Sequence, residues 1–413
     1  MITIEEASKI IDVNIDTLKR FEEIDTFNNN NLIKGFICKQ SDYRYGCLLI
    51  TNVNDEDCKQ VIWTTPKLDY PFDRAGNYHF PDCNIMKFYE KLDGTNILGY
   101  HYFYKNFEFV TFKTRLTPIL KDQKFGMFKS MWLEYINEND WVDQVIKDNH
   151  SFNLSFEMFG SRNPITIMYD IPLDVNLLFG IRRNDHAIRP PSELKLPLKC
   201  KQPVLFGTIE MLYDKDLKKH YNSMREFMSS KNKDSLTIEG MVQYCHVGKP
   251  SWIMLKCKPE EIEKIHWTAS GFIPEKSLFN TALNVFESID DPSIDDFIEL
   301  LKEEYPQELI TKSYHKIEKV WFKALDRIEF TKTVNEIWIL AKQNGLDITK
   351  DKRETMRFVS KHFSRNIMGK VGTVILKLAG LKWFKNEDFC SHFFVWFFYF
   401  FDEQKLKGKE YLR

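Results

Sequence analysis

The sequence predicts an α+β protein: antiparallel sheets flanked by helices, followed by an all-α carboxy-terminal region. Two observations carry this. Between residues 32 and 258 short apolar runs alternate with polar turns at strand spacing, and after about residue 271 apolar residues recur at helical spacing almost to the end. At 413 residues the chain exceeds one average domain, so two are expected, 1–270 and 271–413.

In order, residues 4–21 carry apolar residues near helical spacing (Ile10, Ile11, Val13, Ile15, Leu18), and 27–31 is an Asn-rich loop. Strands are expected in GFICKQ, YGCLLIT and QVIWTT, and then on either side of Asn106, which suits a hairpin turn. Helical spacing over 125–147 is followed by strand candidates at 152–160, in ITIMYD and in VNLLFGIRR. The polar stretch 182–201, with three prolines, reads as a surface connection, 212–228 as a helix, and 237–245 and 252–258 as strands.

In the carboxy-terminal region Ser293 with Asp296 resembles a capping box ahead of the stripe Ile294, Phe297, Ile298, Leu301. Ile317, Val320, Trp321, Ala324 and Ile328 form a second stripe. Val334, Ile337, Trp338 and Ala341 form a third, which stops at Asn344-Gly345.

The composition, 43% hydrophobic, 28% charged and 15% aromatic, argues against long disorder, and a net charge of −1 means that any attraction to a polyanion must be local. Eight scattered cysteines without a C-x-x-C pair argue against a zinc site or a disulfide framework, so reduced thiols and a cytoplasmic location are expected. The amino terminus carries acids where a signal peptide would carry basic residues and an apolar run. The longest apolar run, 393–401, falls short of the roughly 20 residues that span a bilayer, so no membrane association is expected and the run reads as a buried element or an interface.

Chemistry concentrates at Lys91-Leu92-Asp93-Gly94-Thr95-Asn96, which looks like a reactive amine in a turn between two strands, with Lys91 the nucleophile. Attack requires a neutral amine, and a reference pKa of about 10.4 leaves about one in a thousand neutral near pH 7.4, so nearby cations and burial are expected to lower it by about three units. Suitable cations occur in Lys113-Thr114-Arg115 and Lys256-Cys257-Lys258. Glu157 and Glu239 each sit in an otherwise apolar strand, where a carboxylate needs a partner such as a ribose hydroxyl or a metal ion. Taken singly, either glutamate reads rather as paired with a lysine or facing solvent.

The order K-x-D-G-T-N, K-x-R, E-x-F-G, an apolar strand ending in an aromatic, E-G-x-V and K-x-K resembles the motif series of the covalent nucleotidyltransferases: DNA ligases, RNA ligases and mRNA capping enzymes. The likeness spans about residues 44–258 and implies the nucleotidyltransferase (ligase) fold. It implies that Lys91 forms a lysine-AMP phosphoramide, that Glu90 lies near the adenine edge, and that Asp93 tunes the amine. Gly94 would allow a tight turn, Thr95 and Asn96 would bond phosphate or metal-bound water, and Arg115 and Glu157 would hold ribose or phosphate. Phe179 would stack on adenine, Glu239 would bind the metal, and Lys256 and Lys258 would neutralise the α-phosphate and leaving pyrophosphate.

DNA ligases and capping enzymes follow the K-x-K strand with a small β-barrel, whereas helical periodicity follows here. That departure favours RNA ligases. Upstream, YRYGCLLI and TTPKLDYPF resemble segments of tRNA-repairing RNA ligases of the T4-phage type, which implies triphosphate contacts from Arg44 and Lys67. The expectation is an ATP- and Mg2+- (or Mn2+-) dependent RNA ligase joining 5′-phosphate and 3′-hydroxyl RNA ends, with broken tRNA one candidate substrate and a monomer assumed. The rivals are a GTP-dependent capping guanylyltransferase, a DNA ligase, and an RNA-binding protein that has kept the fold without turnover. Residues 311–385 carry 17 Lys/Arg against 7 Asp/Glu, and Arg353, Arg357, Lys361 and Arg365 recur every four residues, a candidate RNA surface or an ordinary solvated face. No P-loop or Ser/His/Asp order is present.

Overall fold

The computed structural model describes residues 2–40, 42–73, 77–122, 127–163, 167, 169–210, 216–232, 238–248, 251–259, 273, 275–289, 291–305, 307–346 and 352–362. The run 393–401 and Arg365 lie outside them. The architecture is mixed, with three antiparallel sheets, helices against them, and a helical carboxy-terminal region. No helix among the described residues is long and apolar enough to cross a membrane.

Helix α1 (Ile4–Ile11) opens on a capping box between Thr3 and Glu6 and ends where Asp12 turns left-handed (φ 59°). The expected helix is therefore shorter than residues 4–21, and Leu18 opens a strand instead. Strands β1 (Leu18–Asp25), β2 (Asn31–Cys38), β3 (Leu48–Val53) and β4 (Glu56–Ile62) form the first sheet in that order. Asn29 and Asn30, both with positive φ, turn the chain between β1 and β2, a conformation that Asn tolerates.

The second sheet, ordered β10-β9-β8-β6-β7, holds β6 (Thr95–Tyr104), β7 (Phe107–Lys113), β8 (Phe152–Phe159), β9 (Asp174–Arg182) and β10 (Ile188–Arg189). Lys105 and Asn106, both at positive φ, make the expected hairpin between β6 and β7. The helical stretch expected over 125–147 is two helices, α2 (Phe128–Glu138) and α3 (Trp141–Asp148), whose Trp132, Trp141 and Val145 pack on Phe112 and Phe156 of this sheet.

The third sheet, β11-β5-β12-β13, comprises β5 (Ile85–Lys91), β11 (Leu205–Glu210), β12 (Gly240–His246) and β13 (Trp252–Cys257). Helix α4 (Leu217–Lys231) covers it through Tyr221 and Met228 against Met86, Phe88 and Met241. Of ITIMYD, residues 165, 166 and 168 lie outside the described set, and Ile167, Tyr169 and Asp170 are not in a strand.

Helices α5 (Glu275–Ser288), α6 (Ile294–Glu304), α7 (Gln307–Gln343) and α8 (Lys352–His362) follow. The Ser293/Asp296 capping box is formed, and the second and third expected stripes are one continuous helix, α7, that stops at Gly345 (φ 73°). Phe286, Phe297, Leu301, Ile317 and Trp321 form a core of these helices' own, with Phe286 and Trp321 stacked at 4.4 Å.

Candidate active site

The chain leaves the third sheet at Lys91, the last residue of β5, and enters the second at Thr95, the first of β6. Leu92-Asp93-Gly94 is therefore the crossing between two sheets. The crossing is tight: a Cβ on Gly94 would lie 2.3 Å from the Met158 carbonyl oxygen and 2.7 Å from Phe159 Cβ. Gly94 is demanded by this close approach to β8, whose Glu157 Oε1 accepts a hydrogen bond from its amide at 3.1 Å.

Register assembles the rest. Gly240 pairs with Lys91 across β12 and β5, which sets Glu239 beside the amine, and Asn96 pairs with Glu157 across β6 and β8. Lys256 lies on β13 and Lys258 just beyond it, and both line one cavity of about 800 Å³ with Lys91, while the intervening Cys257 is buried on the α4 side. This is the alternation that the K-x-K spacing predicts.

Glu239 bridges two lysines: Lys91 Nζ donates to Oε2 at 2.5 Å and Lys258 Nζ lies 3.0 Å from Oε1. Burial pushes the Glu239 carboxyl up, but Lys258 and Lys91 outweigh it and hold it down to about 2. Burial likewise pushes the Lys91 amine down, and Lys258 adds to this. Glu239, with Asp93 and Glu157, overrides both, so Lys91 stays above its ordinary value as an ammonium. The expected lowering is thus not what this arrangement does, because the nearest charge to the amine is an anion. Glu157 contrasts with Glu239: burial raises it to about 7, only partly offset by Lys91.

The remaining predicted residues divide. Glu90, Asp93, Gly94, Thr95, Asn96, Lys67, Arg115, Glu157 and Phe179 all line the same cavity. Phe179 is also built into the core between the sheets at 4% exposure. Asn96 donates to Ser155 Oγ (2.9 Å) and the Phe156 carbonyl (3.0 Å), so its N–H groups tie β6 to β8. Thr95 Oγ1 accepts from Asn163. Asp93 Oδ2 accepts from the Ile167 amide at 2.6 Å, which braces the crossing.

Arg44 does not line the cavity. Two local aspartates hold it instead, Asp42 at 2.6 Å and Asp12 at 3.5 Å. Lys113 is wholly buried and donates to the carbonyls of Gly46, Thr114 and Arg115, so of the two cations of K-x-R Arg115 reaches the cavity and Lys113 does not. Sequence reasoning missed Tyr169, whose hydroxyl accepts from the Asp93 amide at 2.9 Å, and the contribution of α5 and α6 to the cavity wall.

No family model matches the chain, and no curated protein matches it. Among solved structures it is similar to an archaeal ATP-dependent RNA ligase (13% identity over 88% of this chain and 89% of that one, TM-score 0.45). It is also similar to a putative ATP-dependent DNA ligase from Aquifex aeolicus (13% identity, 78% of each chain, TM-score 0.43). A Naegleria gruberi RNA ligase with PPi matches at 10% identity over 60% of this chain and 97% of that one, TM-score 0.30. Similarity of this degree assigns neither substrate nor residue roles, which rest on the site itself.

Proposed function

We propose that the chain is an ATP-dependent RNA ligase working through a covalent Lys91-AMP intermediate. The observation that carries this reading is the convergence of Lys91, Glu157, Glu239, Lys256 and Lys258, from four strands or their ends in two sheets, on one cavity. In the first step Lys91 Nζ forms a bond to the α-phosphorus of ATP and the bond to pyrophosphate breaks. AMP then passes to the 5′-phosphate of an RNA end, and a 3′-hydroxyl displaces AMP to make the new phosphodiester. All three are displacements at phosphorus, which call mainly for positioning and charge neutralisation.

The Lys91 ammonium must lose its proton before it attacks, so its pair with Glu239 opens at this step. Lys256 and Lys258 neutralise charge on the α-phosphate and the leaving group. Glu157 and Arg115 hold the ribose and phosphate, Phe179 lies against the base, and Lys67 takes the triphosphate.

A divalent cation, Mg2+ or Mn2+, suits Glu239. This carboxylate is ionised and faces the cavity. Mg2+ commonly takes one or two carboxylates and completes its shell with phosphate oxygens and water. When bound, it supplies charge neutralisation on the triphosphate.

A helical region after K-x-K favours RNA over DNA as the substrate and ATP-dependent joining over capping. Division into a catalytic unit, 1–270, and a helical unit, 271–413, belongs to the same reading. Of the two upstream cations that carried the likeness to tRNA-repair ligases, only Lys67 reaches the cavity, so broken tRNA rests on that residue alone.

The test is incubation with α-labelled ATP or GTP, with or without Mg2+, followed by denaturing electrophoresis. Label from ATP that disappears in Lys91→Ala is expected. No label with either nucleotide would remove the enzyme reading, and label from GTP alone would favour capping.

A further inference from the structure

Part of the cavity wall is furnished by α5, and its chemistry differs from that of the motif residues. Ser277, Asn280, Thr281 and Asn284 all line the cavity, and their spacing of i, i+3, i+4, i+7 puts them on one helix face. The other face is fixed: Leu278, Ala282 and Phe286 are buried in the helical core at 1% exposure or less. Among the described residues none of the four polar side chains has a hydrogen-bond partner within the chain. Asn284 is exposed, Ser277 and Asn280 are half-buried and Thr281 is buried.

Two hydroxyls and two amides donate and accept hydrogen bonds without net charge. Phosphate is already served in this cavity by the lysines and Arg115, and groups that both donate and accept suit a ribose hydroxyl, itself donor and acceptor. In the reading above, the ribose of ATP is held by Glu157 and Arg115. The α5 face is left for a second sugar, and its exposed end at Asn284 is open to an incoming strand.

Resting on the ligase reading above, we propose that the Ser277/Asn280/Thr281/Asn284 face of α5 recognises the ribose 2′-hydroxyl of the acceptor strand's 3′-terminal nucleotide. It is the element by which this cavity distinguishes an RNA end from a DNA end. Because the face is carried on a rigid helix, the hydroxyl is read by position as well as by chemistry.

The test compares RNA acceptors whose last nucleotide carries ribose or 2′-deoxyribose, both with a 3′-hydroxyl. The wild-type protein is expected to join the ribose end about tenfold faster, the scale of one or two hydrogen bonds. In Asn280→Ala/Asn284→Ala the ratio is expected to fall to within about twofold of unity through loss on the ribose side, and Asn284→Ala alone, at an exposed position, to give part of that fall. No ribose preference in the wild type, an unchanged ratio in the variants, or a loss confined to Lys91 adenylation would each overturn the assignment. Anisotropy of the same two labelled acceptors on Lys91→Ala protein reads the preference without catalysis. Absence of the lysine-AMP adduct would therefore defeat the ligase reading, while the binding ratio still decides the subsite.

Discussion

Asn335 of α7 and Arg162, which follows β8, hold each other by two hydrogen bonds. Asn335 Nδ2 donates to the Arg162 carbonyl at 2.8 Å and Arg162 Nε donates to Asn335 Oδ1 at 3.0 Å. Arg162 is 2% exposed, and its other nitrogens grip Glu134 of α2 at 2.9 Å each. The next residue, Asn163, donates to Thr95 at the start of β6. The helical region is thus pinned to the support of the Lys91 crossing. Asn335→Leu leaves a buried guanidinium N–H and a carbonyl without partners, and a loss of about 2–3 kcal/mol is expected, read by denaturant unfolding. Coupling to Glu134→Gln in a double-mutant cycle checks that one network is involved.

Removing Glu239 changes the state of the nucleophile. Because Glu239 holds Lys91 above its ordinary pKa, Glu239→Gln lowers that pKa and increases the neutral fraction of the amine at a given pH. Reductive methylation of Lys91 at pH 8, followed by mass spectrometry, is expected to speed up in the variant. Adduct formation with ATP is expected to fall by roughly 10²-fold or more, since the proposed metal carboxylate is gone. Slower methylation would show that Glu239 does not set the charge of Lys91.

Lys113 supplies a pH signature. Burial pushes its amine down to about 7, well below the value of a lysine in an unfolded chain. Between about pH 7 and 10.5 the unfolded chain therefore binds a proton that the folded one does not, and stability rises with pH by up to ~1.4 kcal/mol per unit. Lys113→Met removes this rise, which unfolding curves at pH 7, 8 and 9 check. Glu239 acts at the other end: its carboxyl is depressed to about 2, so its contribution is present above pH 4.5 and lost as pH falls toward 2.

Much of this site was legible because strand period and motif order are local properties. Lys256 and Lys258 face one cavity because they are two apart, and Glu239 reaches Lys91 because Gly240 is its ladder partner. What stayed hidden depends on distant chain. Arg44 looks like a free cation until Asp12 and Asp42 close on it, and the sign of the Lys91 shift is set by which charge lies nearest, not by how many lysines are present. Strand β11 escaped notice because its exposure pattern as an edge strand carries no apolar run, and the long α7 read as two stripes because its buried face changes partner along its length.

Gly94→Ala tests the crossing itself. The new methyl group would meet the Met158 carbonyl oxygen at 2.3 Å, and backbone on both sides must shift to relieve it. A destabilisation of about 1–3 kcal/mol is expected, and the Gly94 to Glu157 hydrogen bond is lost with the shift. Adenylation is expected to fall further than the thermal midpoint accounts for, measured at a temperature where the variant is folded. Full adenylation would mean that the crossing tolerates displacement and that Gly94 serves packing only.

The basic stripe of α8 makes a prediction that separates binding from chemistry. Arg357 and Lys361 are exposed four residues apart on one face, while the Arg353 side chain and Arg365 lie outside the described residues. If this face meets the RNA backbone, each contact releases counterions, so Arg357→Glu/Lys361→Glu weakens RNA binding at every sequence and flattens its salt dependence by about one to two units of slope. Lys91 adenylation takes place in the cavity, among whose described lining residues α8 has none, and uses ATP alone, so it is expected to stay at the wild-type rate. Equal loss of both would identify α8 as a structural helix whose charges are merely solvated, because a face that only recruits RNA has no means of slowing a step in which RNA takes no part.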